Sequence, residues 1–175
     1  KILITGHTGF MGGWLALALS RYSNNLYGIS LPGSSKKNFY NIIGIKKLMK
    51  KEFFFDLSKE KSIKIINKMD CDIVFHLAAQ PLVGVSFKET AKTFKSNIMG
   101  TVNVMEAIKI KNKKQVIIVV TSDKVYQNNE LGISFKENSS LGGKDPYSGS
   151  KSCQDIIAQA YNHSFFNNKK KHLGI

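Results

Sequence analysis

Apolar residues fall along this chain in short unbroken runs, separated by longer stretches with helical spacing. "KILIT" at the start reads as a strand, and "GGWLALALSRY" after it has helical length and apolar content. "NLYGISL" is a second strand, followed by the irregular "PGSSKKN". "EFFF", "DIVFHLA" and "QVIIVVT" are the third, fourth and fifth strands, with helical segments around 58-69 and 88-110 between them. In the second of these, Phe94, Ile98, Val102, Met105 and Ile108 recur every three or four residues, which predicts one buried face. A further helix is expected near 147-166, and after the basic turn "NNKKK" the residues "HLGI" read as the opening of another strand. A strand broken off so early leaves a sheet edge incomplete, so the expectation is the N-terminal portion of a longer chain. Strand–helix alternation with near-continuous apolar strands predicts a doubly wound α/β fold, a parallel sheet covered on both faces, as one domain over 1-175.

Composition narrows the classes. No apolar stretch approaches the roughly 20 residues that span a bilayer, so no membrane partner is expected. Cys71 and Cys153 lie far apart without metal-ligand spacing and read as reduced thiols of a cytoplasmic protein; no metal is expected. The formal charge of +14 invites a nucleic-acid reading, but Arg21 is the one arginine among 26 basic residues. Arginine is the preferred residue for bidentate phosphate and base contacts, so a solvated basic surface is the better reading and no nucleic acid is expected.

Candidate chemistry begins at the first strand–helix junction. "TGHTGFMGG" places Gly6, Gly9 and Gly12 in a G-x-x-G-x-x-G arrangement. Glycines there let the backbone turn tightly and bring a pyrophosphate to the amides of Gly6, His7, Thr8, Gly9, Phe10, Met11 and Gly12 at a helix start. The second strand ends at Ser30 with no acidic residue to grip a ribose, so the choice between NAD and NADP is not secured at that position. Asp56-Leu57 after the third strand fit recognition of an adenine amine, and a helix N-cap by Asp56 or Ser58 fits equally well. In "HLAAQP" the residues Leu77, Ala78, Ala79 and Gln80 let a cofactor lie against the backbone, or pack a sheet edge tightly.

"DPYSGSKS" sets Tyr147 and Lys151 four residues apart, on one helix face. A nearby ammonium favours phenolate, so such a tyrosine can take a hydroxyl proton during an oxidation. With these motifs in place the chain resembles the extended short-chain dehydrogenase/reductases, and within them the CDP-glucose branch of the sugar-nucleotide 4,6-dehydratases. The resemblance is carried by "TGHTGFMGGWL", "VFHLAAQPLV", "SNIMGTVNVMEA", "VVTSDKVYQNNE" and "ENSSLGGKDPYSGSKSC", from residue 5 to about 153.

The resemblance implies NAD as cofactor, CDP-glucose as substrate, and three steps: oxidation at C4, loss of water across C5 and C6, and reduction at C6. It implies Tyr147 and Lys151 for the first step, with Ser122 on the C4 oxygen, Asp123 as acid at the C6 hydroxyl and Lys124 as base at C5. The related dTDP-glucose enzymes usually carry glutamate where this chain has Lys124. Asp123 must then be protonated and Lys124 neutral, and the chain must leave strand geometry for both to reach one sugar. The resemblance also implies Asn97 beside the cofactor, Thr121 closing the strand at the cofactor site, and a homodimer through the 88-110 and 147-166 helices. Gly84-Val85 stand where those enzymes usually have a basic pair, and the substrate-binding region is largely absent. A nucleotide-sugar 4-epimerase, which shares the glycine turn and the Tyr/Lys pair, and a non-catalytic NAD-binding module are the alternatives.

Overall fold

The computed structural model of the chain describes residues 1–33, 37–111, 113–130, 132, 134–166 and, for the backbone alone, 171–174. Six parallel strands form one sheet: β1 (Ile2–Thr5), β2 (Leu26–Ser30), β3 (Lys51–Phe54), β4 (Ile73–His76), β5 (Gln115–Val119) and β6 (Lys171–Gly174). Their order, β3-β2-β1-β4-β5-β6, reverses direction between β1 and β4. In an open α/β sheet such a reversal leaves a crevice outside the carboxyl ends of the strands, where ligands bind. The doubly wound class is therefore the one observed, and Lys171–Gly174, which takes in the first three residues of "HLGI", is the edge strand; Ile175 lies outside the described residues. Residues 34–36 of the irregular stretch and 167–170 of the basic turn lie outside the described residues.

The helices are α1 (Phe10–Leu19), α2 (Phe39–Ile43), α3 (Lys61–Met69), α4 (Val83–Lys88), α5 (Thr90–Phe94), α6 (Gly100–Lys109) and α7 (Pro146–Tyr161). Successive side chains of β1 point to opposite faces, so each face has its own core. Leu3 joins Ile29, Val74, Ile117, Met105, Ile108 and Phe166 on one side; Ile2 and Ile4 join Ala16, Leu26 and Ile45 on the other. No described helix is long and apolar enough to cross a membrane.

The expected continuous helix over 88-110 is interrupted. Residues Lys95–Met99 form a π turn, one residue wider than an α-turn, between α5 and α6. Met105 and Ile108 are buried as expected, but ahead of them the buried line runs through Thr93, Asn97 and Thr101, while Phe94, Ile98 and Val102 are only half-buried. A uniform 3.6-residue period misplaces that face because the π turn changes its phase. A second π turn, Asn162–Phe166, extends α7.

Candidate active site

The glycine turn is built by close backbone contact. Gly6 has φ of +78°, donates its N–H to Ile29 O at 2.7 Å, and lies so near β4 that a Cβ there would meet Ala78 N at 2.9 Å. A Cβ on Gly12 would stand 2.2 Å from Gly6 O, and one on Gly9 3.2 Å from the same oxygen. α1 starts at once behind Gly9 with no side-chain cap, and Phe10 and Met11 are exposed. The first amides of the helix thus face the crevice in a cradle that any side chain would fill, the shape a pyrophosphate requires.

His7 is turned inward. Its ring is fully enclosed, with Nδ1 3.0 Å from Ser30 Oγ and Nε2 3.0 Å from Glu52 Oε1. Gly28 makes room for it, since a Cβ there would touch the ring at 2.6 Å. Burial holds the imidazole below its ordinary pKa, against the pull of Glu52, which also accepts from Tyr40 OH at 2.6 Å. The side chain of His7 therefore supports the turn from below. Ser30 is committed too, because its hydroxyl accepts from Thr8 N at 3.2 Å.

Asp56 forms a turn of its own: Oδ1 accepts from Ser58 N at 2.9 Å. α3 starts only at Lys61 behind Glu60, so neither Asp56 nor Ser58 caps it. That is a correction to the capping reading, and its reason is the extra turn of chain at 57–60. Leu57 is buried and its carbonyl accepts from Asn103 Nδ2 at 2.7 Å. Leu77 packs against the α1-side core and Ala78 against the other. Asn97 is wholly buried and its amide is spent on protein: Oδ1 accepts from Gln80 N at 2.7 Å, and Nδ2 donates to Ser150 Oγ at 2.8 Å and Gln80 O at 3.2 Å. It brackets the segment after β4, which carries Ala79 and Gln80, to α7.

β5 ends at Val119, and beyond it Thr121 is half-buried. Ser122 then caps a single 3₁₀ turn, Asp123–Val125, with its hydroxyl accepting from Lys124 N at 3.1 Å. The chain has left strand geometry where two adjacent side chains must act on one face. Asp123 and Lys124 lie in solvent, with side chains 71% and 51% exposed and 3.6 Å apart. The turn is fixed from beneath by buried Val125, whose carbonyl accepts from Ser152 Oγ of α7 at 2.7 Å.

α7 begins with Asp145 accepting from Ser148 N at 3.0 Å and Pro146 in the first turn, the start signals that fixed-φ proline and a carboxylate cap provide. Tyr147 donates its N–H to Ser86 Oγ of α4 at 3.1 Å and is half-buried. Lys151 is almost fully buried and donates to Val120 O at 2.9 Å, just before the Ser122 turn. Burial pushes its pKa down to about 8. The structure therefore joins the 122–124 turn and the Tyr147/Lys151 helix at the carboxyl ends of the strands, on the same side as the glycine turn.

A buried ammonium has a consequence for stability. Between the folded value of about 8 and the ordinary 10.5, the unfolded chain binds more protons, so stability rises with pH across that window. Below about pH 8 the cost is fully present, roughly 3 kcal/mol. Lys151→Met is expected to be more stable than the parent at pH 7, with the difference shrinking towards pH 10. Urea midpoints at both pH values check this, and an equal difference at the two would refute it.

Reading the residues alone passes over Ser86, Ser152, Ser150, Thr5, His76, Thr101, Gln154 and Glu52, which hold these elements together. Thr5, Glu52, His76, Thr101, Ser150 and Ser152 stand inside stretches quoted above, but as neighbours of the residues singled out there; Ser86 and Gln154 lie outside those stretches.

A parallel sheet in this order with a glycine turn at its reversal point defines a doubly wound nucleotide-binding domain. Residues 3–168 match the family described as GDP-mannose 4,6 dehydratase, and the chain belongs to that family. It is 37% identical over 167 residues to the CDP-glucose 4,6-dehydratase of Salmonella typhimurium, covering 95% of this chain and 46% of that one. It is 35% identical to the dTDP-D-glucose 4,6-dehydratase of Dictyostelium discoideum, over 94% of this chain and 41% of that one. The chain thus spans less than half the length of these two relatives. Among solved structures, the UDP-glucuronic acid 4-epimerase of Bacillus cereus, in complex with UDP-glucuronic acid and NAD, superposes with a TM-score of 0.82 at 27% identity, over 99% of this chain and 55% of that one.

Proposed function

We propose that this chain is the NAD-binding portion of a 4,6-dehydratase that converts CDP-glucose to CDP-4-keto-6-deoxyglucose and water in the cytoplasm. The observation that carries this reading is the 3₁₀ turn that presents Asp123 and Lys124 together, fastened to the helix bearing Tyr147 and Lys151. A 4-epimerase uses the tyrosine and lysine but has no elimination to perform, so it has no use for that acid–base pair. Similarity to the CDP-glucose 4,6-dehydratase of Salmonella supports the cytidine nucleotide.

The cradle fits NAD: Gly6, Thr8, Gly9, Phe10, Met11 and Gly12 would face its pyrophosphate, Asp56 and Leu57 its adenine, and Ala78, Ala79, Gln80, Thr121 and Lys151 the nicotinamide half. NAD, when bound, supplies oxidation at C4 at the start of the cycle and reduction at C6 at its end. Tyr147 takes the C4 hydroxyl proton while Ser122 holds the C4 oxygen. Once C4 is a ketone, the proton on C5 is acidic and Lys124 removes it. The C6–oxygen bond breaks as Asp123 gives its proton to the departing hydroxyl, so water leaves and a C5–C6 double bond forms. A hexose seated over the 122–124 turn displaces the water around both side chains, which this exchange requires.

Mixing the intact protein with CDP-glucose and NAD tests the reading. A 4-keto-6-deoxy product supports it, a C4 epimer favours the epimerase, and binding without turnover favours the module.

The active unit is proposed to be a homodimer through the outer faces of α6 and α7. Ile156 of α7 is 52% exposed and Ile110, directly after α6, 61% exposed, an apolar surface that suits a self-complementary contact. Ile156→Glu is expected to convert dimers to monomers in sedimentation at equal concentration, and an unchanged mass would refute the interface.

A further inference from the structure

A line of buried side chains that the reaction above does not use runs from the glycine turn to α7. Thr5, the residue before Gly6, lies with Oγ1 2.8 Å from Nδ1 of His76 at the end of β4. Nε2 of that ring is 3.0 Å from Thr101 Oγ1 in α6, and Thr101 Oγ1 accepts from Gln154 Nε2 of α7 at 2.7 Å. None of the four is more than 1% exposed.

Counting protons assigns every bond in the line. A hydroxyl has one proton to give, and that of Thr101 goes to Asn97 O at 2.7 Å. Thr101 Oγ1 therefore accepts from both Gln154 and His76, which requires a hydrogen on Nε2. At the other end Thr5 Oγ1 accepts from Ala78 N at 3.1 Å, leaving its own proton for a bare Nδ1. A charged ring would set a second N–H against Thr5, and burial together with the nearby Lys151 charge pushes the pKa of His76 down to about 3.

The far end of the line meets the candidate site. Gln154 follows Lys151 by three residues and Tyr147 by seven, so all three lie along one stripe of α7. Thr5 adjoins Gly6, and Ala78 touches the space a Gly6 side chain would need. We propose that His76, as the neutral imidazole protonated on Nε2, is the joint that holds the glycine turn and α7 at a fixed separation, and is thereby a positioning residue for proton transfer at Tyr147. Its kinetic consequence rests on the function proposed above; the tautomer and the coupling do not.

Nitrogen-15 NMR of the intact protein labelled at histidine should show His76 with one bare and one protonated nitrogen, the latter Nε2, from pH 5 to pH 9. A hydrogen on Nδ1, or a doubly protonated ring at pH 7, overturns the proposal. Adding NAD should slow amide exchange in residues 147–151 of the parent at least tenfold more than in Gln154→Met, and equal slowing overturns it. In turnover, Gln154→Met and His76→Phe should lower kcat by 10- to 100-fold with KM and NAD affinity within threefold, and His76→Gln, which keeps an N–H for Thr101, should recover part of the loss. A kcat within twofold of the parent in Gln154→Met, or losses of kcat, NAD affinity and melting temperature in step across all variants, overturns it. Should His76→Phe not fold, the spectrum and Gln154→Met decide; an inactive parent with the expected spectrum and exchange sinks the dehydratase and leaves the joint standing.

Discussion

Lys124→Met is expected to stop the reaction halfway. With CDP-glucose and NAD present, absorbance of the reduced nicotinamide should rise and persist, because Tyr147 and Lys151 are intact and oxidation at C4 needs nothing from residue 124. Loss of the base at C5 should lower steady-state turnover by about 10²–10⁴-fold, the range for removing a general base. Tyr147→Phe should give the contrasting result, with no rise in absorbance, since the C4 proton has no acceptor. Methionine keeps most of the side-chain length, and the lysine it replaces is half-exposed on a turn held by Val125 and Ser152, so the fold should be unaffected. Stopped-flow absorbance and product analysis separate the steps. Turnover of Lys124→Met within threefold of the parent would remove the elimination chemistry from this turn.

The second large effect is expected at Gly12. A methyl there meets Gly6 O at 2.2 Å, Gly6 C at 2.7 Å and His7 Cα at 2.9 Å, all of them backbone or Cα atoms that cannot swing aside. The loop must open, and its opening disturbs the His7 ring wedged over Gly28. Gly12→Ala should lose about 1–3 kcal/mol of stability, as overpacking does, and weaken NAD binding at least 100-fold in calorimetry. Gly84→Ala is the matched control. It also lies in a helix, but nothing stands within 4 Å of its added methyl, so it should bind NAD as the parent does and gain up to about 1 kcal/mol from helix propensity.

Sequence patterning makes the framework legible where one physical signal acts alone. Apolar runs such as "KILIT" and "QVIIVV" can only be strands between helices, and the spacing of Tyr147 and Lys151 on one helix face follows from the geometry of any α-helix. Patterning fails where signals compete. A polar residue is ordinarily read as a surface residue, so Thr5, His76 and Thr101, which bond one another in the core, and Gln154, whose Nε2 joins them, do not register. His7 reads as a ligand contact because it stands inside a glycine motif, and only the bare Cα of Gly28, 21 positions away, shows that the ring belongs underneath. The stripe over 94-108 is drawn with a constant period, and the period is not constant. Roles assigned to Asp123 and Lys124 depend on the chain leaving the strand, which the letters of "VVTSDKVYQNNE" do not encode and the Ser122 cap supplies.

The π turn at Lys95–Met99 makes this site more sensitive to a change of length than to a change of letter. Excising Ile98 would close the widened turn to ordinary α-helix, with the helices on either side kept in register. Asn97, inside that turn, would move off Gln80 and Ser150, though every one of those residues would still be encoded. A gene lineage can therefore exchange exposed residues such as Lys95 and Met99 at little cost, whereas losing a single codon there dismantles the bracket.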